Sequence, residues 1–372
     1  MILSKKVRLK PNKEQEAQLW RSAGTARWAY NWALAKQEEN RENGGKFIQD
    51  GILRKELTQL KQEESYRWLY EVSNNVTKQA IKDLCAAYKS FFKKVADRPK
   101  FKSKKKSKPS FYNDNMKLKV KPKSVLIEKV GWVKTSEQLP VSGAYVNPRI
   151  SYDGKYWYIS VGIEQEREQV ELTNISLGID VGVKALAVCS NGAVYKNINK
   201  TREVRKTEKR LRRLQRCVSR KYEMNKEGNR FVKTSNIMKV EKRIRHLHRR
   251  LANIRSNYLH HCTSDIVKTK PYCIVMETLN IKGMMKNKHL SMAIAKQCLH
   301  EFKKQIQYKC TKYGIEFVEA DMWYPSSKTC SSCGNVQKNL KLSERVYKCT
   351  CGLELDRDLN ASINLSRYKL AN

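Results

Sequence analysis

The sequence lacks long apolar runs and is poor in acidic residues. None of its 372 residues belong to a run of about 18 apolar side chains, which excludes a membrane-spanning helix. The opening residues are basic and have no apolar segment of the kind a secretory leader needs, so we expect no export signal and a cytoplasmic protein. Only 36 acids oppose 76 lysines and arginines, which gives a net charge of +40. So many positive side chains repel one another unless a polyanion neutralises them, so the composition indicates a nucleic-acid partner.

The remaining composition is that of a folded protein. Apolar residues make up 40% of the chain and aromatic residues 9%, enough to build a core. At roughly 100–200 residues per domain, the length predicts two or more domains. In a reducing compartment the 11 cysteines are expected to be buried thiols or metal ligands rather than disulfides.

The first part of the chain is predicted to hold a helical bundle and a small β domain. Apolar and polar residues alternate over residues 2–9, as in a strand, and helical periodicity then runs through residues 10–98. Between residues 99 and 123 ten lysines face one acid. The ordinary interpretation is a solvated loop, but we favour a surface that contacts phosphates and stacks bases, because aromatic residues are interleaved. Strands follow at 125–130, 145–152 and 156–163, with a hairpin turn at Asp153-Gly154, and are expected to pair with the first strand.

After residue 173 apolar strands alternate with helices. Strands are expected at 176–182, 185–189, 272–277 and 315–320, and one helix from about residue 291 to Tyr313. Residues 200–255 hold 21 Lys and Arg against five Glu. Gly228 interrupts their helical pattern, so two antiparallel basic helices are predicted, and their charge favours phosphate binding.

Three carboxylates stand where apolar secondary structure begins or ends. Asp180 lies within a strand, Glu277 ends one, and Asp358 opens the last helix. Taken singly, each is ordinarily a turn acid, a surface acid or a helix cap. Together, in a basic chain, they predict a site where acids hold two Mg²⁺ ions for phosphodiester hydrolysis, because the ions would offset the cost of gathering three negative charges. This order of strands and acids resembles the ribonuclease H-like fold.

Four cysteines form two closely spaced pairs. Cys330-Ser331-Ser332-Cys333 and Cys349-Thr350-Cys351 are each followed by glycine, a pattern typical of a four-cysteine Zn²⁺ ribbon. The second pair is one residue shorter than usual, so four free thiols remain the alternative. The other seven cysteines are expected in the core, and the six histidines are left unassigned.

Several segments resemble one family. They include Pro99-Lys100-Phe101-Lys102, Gly178-Ile179-Asp180-Val181-Gly182, the eight residues from Glu277 to Met284, Tyr308-Lys309, and the block from Ser326 to Ala361; a weaker match lies around Lys10-Pro11. On these residues the chain resembles TnpB, the OrfB-type, insertion-sequence-encoded, RNA-guided DNA endonuclease related to type V CRISPR effectors.

The resemblance implies a multidomain α+β protein. Residues 173–323 and 356–372 would form a ribonuclease H-like (RuvC) nuclease domain with a basic helical insert at 200–260. Residues 324–355 would be a zinc-ribbon module that binds target nucleic acid, 10–98 a helical recognition lobe, and 1–9 with 99–172 a small β-barrel wedge domain. Residues 282–290 resemble the family's lid over the active site.

The resemblance also implies roles for individual residues. Asp180, Glu277 and Asp358 would be the catalytic Mg²⁺ ligands, with Asp356 a weaker candidate for the third acid, and the four paired cysteines would bind Zn²⁺. Base-edge contacts are expected from the third helix, and backbone contacts from the lysine-rich segment and the basic helices. The expected nucleic-acid-binding residues are Asn75, Lys78, Gln79, Lys100, Lys102, Lys104, Lys105, Arg210, Arg213, Lys242 and Arg243.

The implied function is cleavage of double-stranded DNA beside a short flanking motif, guided by RNA from a transposon end. The protein would be a cytoplasmic, bacterial or archaeal enzyme, associated with the nucleoid when bound to DNA and not with a membrane. Two alternatives stay open: a nuclease-inactive RNA-guided repressor, and a strand-transfer transposase. The sequence leaves open the guide, the flanking motif, the cut positions, the oligomeric state, and whether the context is a transposon or a CRISPR locus.

Overall fold

The computed structural model describes residues 1–140, 144–337, 339–341 and 344–371, with backbone alone at 370 and 371. The chain divides into two compact units, Met1–Gln165 and Glu166–Asn372. Within the described residues, no helix combines the length and apolarity needed to cross a membrane. Both units mix helices with sheets, so the α+β class predicted from the sequence is confirmed.

The described residues of the first unit form three α-helices and seven strands. In chain order these are β1 (Ile2–Lys10), α1 (Lys13–Glu42), α2 (Asp50–Leu60), α3 (Asn74–Phe92), β2 (Ser110–Tyr112), β3 (Lys119–Lys121), β4 (Ser124–Ile127), β5 (Gly131–Thr135), β6 (Tyr145–Tyr152) and β7 (Trp157–Glu164). A 3₁₀ segment, Glu64–Glu71, precedes α3. The predicted strand at 125–130 is shorter than expected, because β4 ends at Ile127 and the chain then turns into β5, which pairs with β4.

Helix α1 begins where the sequence supplies a capping box. The Asn12 side chain accepts from the Gln15 backbone N–H, and the Gln15 side chain accepts from the Asn12 N–H. Leu19, Ala26 and Leu34 are among the residues that α1 buries against the rest of this unit. The sheet order is β2-β6-β7-β1-β5-β4-β3. The N-terminal strand thus pairs with β7 and β5, as the sequence predicted.

In the second unit, the part of the chain that the structure describes forms six α-helices and nine strands. These are β8 (Thr173–Val181), β9 (Ala185–Cys189), β10 (Val194–Lys196), α4 (Arg202–Met224), β11 (Lys226–Glu227), β12 (Arg230–Phe231), α5 (Ser235–Lys268), β13 (Pro271–Glu277), α6 (Ile281–Met284), α7 (Ser291–Gln297), α8 (Leu299–Tyr313), β14 (Glu316–Ala320), β15 (Val346–Lys348), β16 (Glu354–Asp356) and α9 (Arg357–Ala371). The two basic helices are therefore confirmed as α4 and α5, joined through the small β11–β12 hairpin that contains Gly228.

A five-stranded sheet of order β10-β9-β8-β13-β14 organises this unit. β8 to β10 are antiparallel neighbours, whereas β13 is parallel to both β8 and β14. Because strand residues alternate between faces, Leu177 and Ile179 pack with α5 and α8, while Cys273 and Val275 pack with Leu365 of α9. The parallel strands are therefore covered on both faces.

One helix predicted from the sequence is broken into two. Instead of running from about residue 291 to Tyr313, it divides into α7 and α8 at Cys298, which has the left-handed backbone angles φ 56° and ψ 40°. A residue other than glycine in that region is uncommon, which explains why periodicity did not signal the break. Helix α8 ends at Gly314, φ 71°, as predicted.

Candidate active site and cysteine cluster

Asp180 and Glu277 stand side by side at the carboxyl ends of two parallel strands. The β8–β13 register pairs Ile179 with Met276, so each acid follows one residue after that pair. Glu277 in turn pairs with Ala320 of β14. Both acids lie on the α9 face of the sheet, since they continue the alternation of Gly178 on β8 and of Val275 on β13.

Helix α9 brings Asp358 to the same place. It packs so closely on β8 that a methyl group on Gly178 would overlap the carbonyl oxygen of Ser362. Gly178 and Asp180 share a strand face, and Asp358 and Ser362 are one helical turn apart. The contact between Gly178 and Ser362 therefore sets Asp358 beside Asp180, and the structure gathers the three acids singled out in the sequence.

The electrostatics of the cluster are those of crowded, partly desolvated acids. Burial, followed by the charges of Glu277 and Asp358, raises the pKa of Asp180 well above its ordinary value. Burial also raises the pKa of Glu277 to about 7, although hydrogen bonds from the Val181 N–H and the Asp180 carboxyl oppose that rise. Negative charge is thus in excess at this point, and an oxygen-rich site of that kind suits Mg²⁺.

Two arginines and one further acid surround the cluster. The charge of the buried Arg357 lowers the pKa of Asp180, and Arg345 lies 3.9 Å from the Asp358 carboxylate. Asp356 has another task, because its Oδ1 accepts from the backbone N–H groups of Asp358 and Leu359, at 2.9 and 3.2 Å. It caps α9 and is exposed. Asp356 therefore caps α9, and Asp358 does not have the capping role that is ordinary for an acid at the start of a helix.

The four paired cysteines form one cluster between β14 and α9. Their sulfurs all lie within 4.8 Å of one another. The Cys330–Cys351 and Cys333–Cys349 pairs are both separated by 3.6 Å, too long for a disulfide. Tetrahedral Zn²⁺ with bonds of about 2.3 Å would place its sulfur ligands roughly 3.8 Å apart. The cluster can therefore hold a zinc ion, and the short second pair does not prevent this.

Hydrogen bonds tie this cysteine module to α9. Asn360 Nδ2 donates to the Thr329 carbonyl at 2.7 Å, and its Oδ1 accepts from the Ser331 N–H at 2.9 Å. Asn364 Nδ2 donates to the Ser326 and Thr329 carbonyls. Both asparagines are buried. The module therefore anchors the first turns of the helix that holds Asp358.

The predicted base-reading residues of α3 are already engaged within the protein, with one exception. Asn75 Nδ2 donates to Glu128 at 3.3 Å, and Gln79 Nε2 donates to Asp83 at 2.9 Å. Lys78 is exposed. Lys78 is therefore the member of this set that is best placed for a new contact, and the base-reading role of all three stays a prediction.

The lysine-rich segment divides into outward and inward residues. Lys100, Lys104 and Lys105 are exposed. The ammonium of Lys102 instead lies 3.5 Å from the centre of the Tyr30 ring, and its backbone exchanges two 2.8 Å hydrogen bonds with the Asn31 side chain. Sequence reasoning did not distinguish Lys102 from its neighbours, because its position depends on the Tyr30 ring, 72 positions earlier in the chain.

The predicted contact residues of the basic helices all point outward. Arg210, Arg213, Lys242 and Arg243 are exposed. A narrow apolar seam that includes Val204, Leu211 and Leu251 holds α4 against α5. The outer faces of the two helices thus present positive charge to the solvent.

Family models match the chain in three segments. A model described as "Probable transposase" (OrfB_IS605) matches residues 158–288, a "Cas12f1-like, TNB domain" matches 300–365, and a "Helix-turn-helix domain" matches 1–46. The first segment contains Asp180 and Glu277, and the second contains the cysteine cluster and Asp358.

Two similar proteins cover nearly the whole chain. "Putative RNA-guided DNA endonuclease InsQ" of Escherichia coli (strain K12) is 31% identical over 98% of this chain and 91% of its own length. A "Putative RNA-guided DNA endonuclease" of Streptomyces pristinaespiralis is 30% identical over 98% and 89%.

Two solved structures share the fold. That of the Cas12f1–sgRNA–target DNA complex matches with a TM-score of 0.59 at 16% identity, over 96% of this chain and 83% of that one. That of the mini RNA-guided endonuclease CRISPR-Cas_phi3 matches with a TM-score of 0.52 at 10% identity, over 99% and 92%. Fold and site together define an α+β protein with a cluster of acids and a cysteine module. The chain belongs to the TnpB family, the OrfB proteins of IS605-type elements.

Proposed function

We propose that this protein is an RNA-guided DNA endonuclease that cleaves double-stranded target DNA beside a short flanking motif. One observation carries the proposal: Asp180, Glu277 and Asp358 lie together at the carboxyl ends of β8 and β13, although Asp358 comes 178 positions after Asp180 in the sequence. Three acids crowded in this way are costly to a fold unless a cation uses them. The family membership and the relatives' names agree with this interpretation.

Asp180, Glu277 and Asp358 would hold two Mg²⁺ ions. When bound, the ions would lower the pKa of an attacking water and stabilise the charge that develops on the scissile phosphate. The residues of the chain fix where this happens. Strands β8 and β13 hold two acids in register, Asp356 caps the helix that presents the third, and Arg357 supplies positive charge beside Asp180.

The remaining segments would hold the nucleic acids. The exposed cations of α4, α5 and the lysine-rich segment suit an RNA or DNA backbone, for which affinity depends on the number of phosphates neutralised. Sequence specificity would come from base pairing with a guide RNA, here one transcribed from a transposon end. Asn75, Lys78 and Gln79 are the proposed readers of the flanking motif.

This function assigns a role to each segment of the chain. The five-stranded sheet with α9, residues 173–323 and 356–372, would be the ribonuclease H-like (RuvC) nuclease domain, and residues 324–355 a zinc ribbon that contacts target nucleic acid. Residues 10–98 would be the recognition lobe, and 1–9 with 99–172 the wedge β-barrel. Residues 282–290 would be a lid over the acids.

The test uses the protein purified with its co-expressed RNA and a plasmid that carries a target matching that RNA. We expect wild type to cut in Mg²⁺ and Asp180→Asn to lose at least a thousandfold in rate while it still binds the target. Asp265→Asn is the control, because Asp265 pairs with the Tyr195 hydroxyl on another part of the same unit. Binding of the target by wild type without any cutting would instead identify a repressor, and joined donor–target products would identify a strand-transfer transposase.

A further inference from the structure

The loop that follows Asp180 is held by side chains from outside the acid cluster. It connects β8 to β9, and the backbone carbonyls of its residues 182–184 and of Ala185, where β9 begins, each accept a side-chain hydrogen bond. Gln297 Nε2 donates to the Gly182 and Ala185 oxygens at 2.8 and 3.3 Å. Asn197 Nδ2 donates to the Val183 oxygen at 2.8 Å, and Lys200 Nζ to the Lys184 oxygen at 3.3 Å.

Gln297 bridges the two ends of this loop. It is the last residue of α7, 3% exposed, and lies immediately before the left-handed Cys298. The break between α7 and α8 therefore ends α7 at the residue whose amide reaches the loop. Neither Gln297 nor the break belongs to the acid cluster or to the cysteine module.

A ring of hydrogen bonds and ion pairs connects Gln297 to the two basic helices, α4 and α5. Asn199 Nδ2 donates to the Gln297 Oε1 at 3.3 Å, and Asn199 Oδ1 accepts from Arg255 Nε at 2.7 Å. Arg255 and Lys296 each reach one oxygen of Glu208 at 2.8 Å. Glu208 belongs to α4 and Arg255 to α5, while Lys296 precedes Gln297 on α7, so the ring closes.

The Glu208 carboxylate is well shielded. Its side chain is 14% exposed and that of Arg255 is 18% exposed. A buried ion pair adds strength only where its geometry is good and its remaining groups are bonded, and both carboxylate oxygens of Glu208 are engaged here. The ring therefore gives α4, α5 and α7 one fixed arrangement at the point where they approach the Asp180 loop.

We propose that Gln297 is a positioning residue for Asp180, and that Asn199, with the Arg255–Glu208–Lys296 ion pairs, fixes Gln297 relative to the basic helices. This inference rests on the proposed function, because it concerns how that site is held. Without the Gln297 amide two loop carbonyls, one of them two residues after Asp180, lose their side-chain donor. Removal of a residue that holds a metal ligand in position commonly lowers metal affinity or activity by about 10- to 100-fold.

The experiment compares Gln297→Met with Gln305→Met. Methionine is close to glutamine in size and flexibility but cannot replace its hydrogen bonds. Gln305 is the matched control: it is 1% exposed, lies on α8 of the same unit, and bonds to Thr263 and Glu301 instead of the Asp180 loop. Three quantities are measured on the RNA-bound protein: the cleavage rate against Mg²⁺ concentration, Mn²⁺ binding by electron paramagnetic resonance without DNA, and target affinity.

We expect Gln297→Met to cut at least tenfold more slowly at saturating DNA and to weaken Mn²⁺ binding several-fold, with target affinity within twofold of wild type. Gln305→Met is expected to lower the unfolding temperature but to keep wild-type Mg²⁺ dependence and Mn²⁺ affinity. If the two variants respond alike, Gln297 is a structural residue only and the inference is wrong.

If Gln297→Met does not fold, Asn199→Ala tests the positioning role of Gln297 instead. This variant removes the outer support and leaves the Gln297 amide in place, so we expect a smaller change in the same direction for rate and Mn²⁺ affinity. Wild-type values for Asn199→Ala would overturn the inference. A wild type that neither cuts nor binds Mn²⁺ would overturn the proposed function itself, which separates the two failures.

Discussion

Gly178 of β8 lies directly against Ser362 of α9, with no space between them for a side chain. This contact sets the distance between sheet and helix, and hence between Asp180 and Asp358. The cysteine module is hydrogen-bonded to the same helix through Asn360 and Asn364, which helps to fix the position of α9. The glycine therefore matters for packing and not for a special backbone angle.

Gly178→Ala is expected to destabilise the second unit. The added methyl group would meet main-chain atoms, which cannot rotate away, so we expect a loss of about 1–3 kcal/mol or more in the free energy of unfolding. Urea unfolding monitored by circular dichroism measures it. Gly51→Ala is the control, because nothing lies near a methyl group on that helical residue, and alanine there should be neutral or slightly stabilising. Equal effects of the two substitutions would contradict the packing argument.

The metal-free protein is expected to lose stability as the pH rises from about 4.5 to about 7. Burial raises the folded-state pKa of Glu277 to about 7 from 4.5, so over this range the folded protein holds a proton that the unfolded chain has released. The free energy of unfolding should therefore fall with rising pH over this range, by on the order of 1–3 kcal/mol, and the raised pKa of Asp180 acts in the same direction.

Unfolding in EDTA between pH 4 and pH 8 measures this dependence. Glu277→Gln cannot titrate at that position and should show a flatter profile, and Mg²⁺ should flatten the profile of the wild type by favouring the charged acids. Identical slopes for wild type and Glu277→Gln would mean that the carboxyl does not retain its proton on folding.

Substitutions of Asp356 and Asp358 are expected to affect different properties, stability for Asp356 and cleavage for Asp358. Asp356→Ala removes a helix cap and should cost about 0.5–2 kcal/mol of stability while cleavage continues. Asp358→Asn should lower the cleavage rate at least a thousandfold and leave the stability of the metal-free protein equal or greater, since it removes one repelling charge from the cluster. Cleavage assays and thermal unfolding on the same preparations decide between the two acids; the reverse pattern would move the third ligand to Asp356.

The cysteine cluster is expected to hold about one Zn²⁺ per chain. Metal analysis by mass spectrometry should find it in wild type and find little in Cys330→Ser, whose thiol is buried within the cluster. Cys217→Ser is the control, because Cys217 lies on α4, apart from the cluster. Zinc retained by Cys330→Ser would show that the four sulfurs are not the ligands.

Removal of the outward charges of α4 and α5 should weaken RNA binding and its dependence on salt. We expect the variant with alanine at Arg210, Arg213, Lys242 and Arg243 to lower the slope of log affinity against log salt by about 0.7–0.9 for each phosphate that is no longer neutralised. Lys102→Ala should instead affect stability and leave the slope unchanged, because its ammonium packs on Tyr30. Filter binding across a series of salt concentrations measures both, and an unaltered slope in the fourfold variant would exclude these helices as the RNA-binding surface.

Local sequence pattern was sufficient to predict most of the helices and strands and to single out Asp180, Glu277 and Asp358. The strands that hold Asp180 and Glu277 are apolar runs, and an acid inside such a run is visible without a structure. The paired cysteines and the basic helices were equally evident. What these features share is that a short window of sequence contains the whole signal.

Contacts between distant segments could not be read in this way. Nothing near Gln297 indicates that its amide reaches the loop after Asp180, because that contact depends on the break at Cys298, where a residue other than glycine is left-handed. Whether Asp356 or Asp358 caps α9 depended on where the helix begins, a boundary that differs from the pattern by only a residue or two. The inward orientation of Lys102 could not be predicted without knowing where Tyr30 lies, because the Lys102 ammonium packs on the Tyr30 ring.

The parallel pairing of β8 with β13 has a consequence for how the molecule folds. Both basic helices lie between β8 and β13 in the sequence. When the two strands pair, they therefore close a loop of about ninety residues, from Val181 to Pro271. Pairing across such a span is slow, since its entropy must be lost before the contacts form. The helical hairpin, whose contacts are local, would form earlier, so the positive surface of α4 and α5 would exist before Asp180 and Glu277 are brought together.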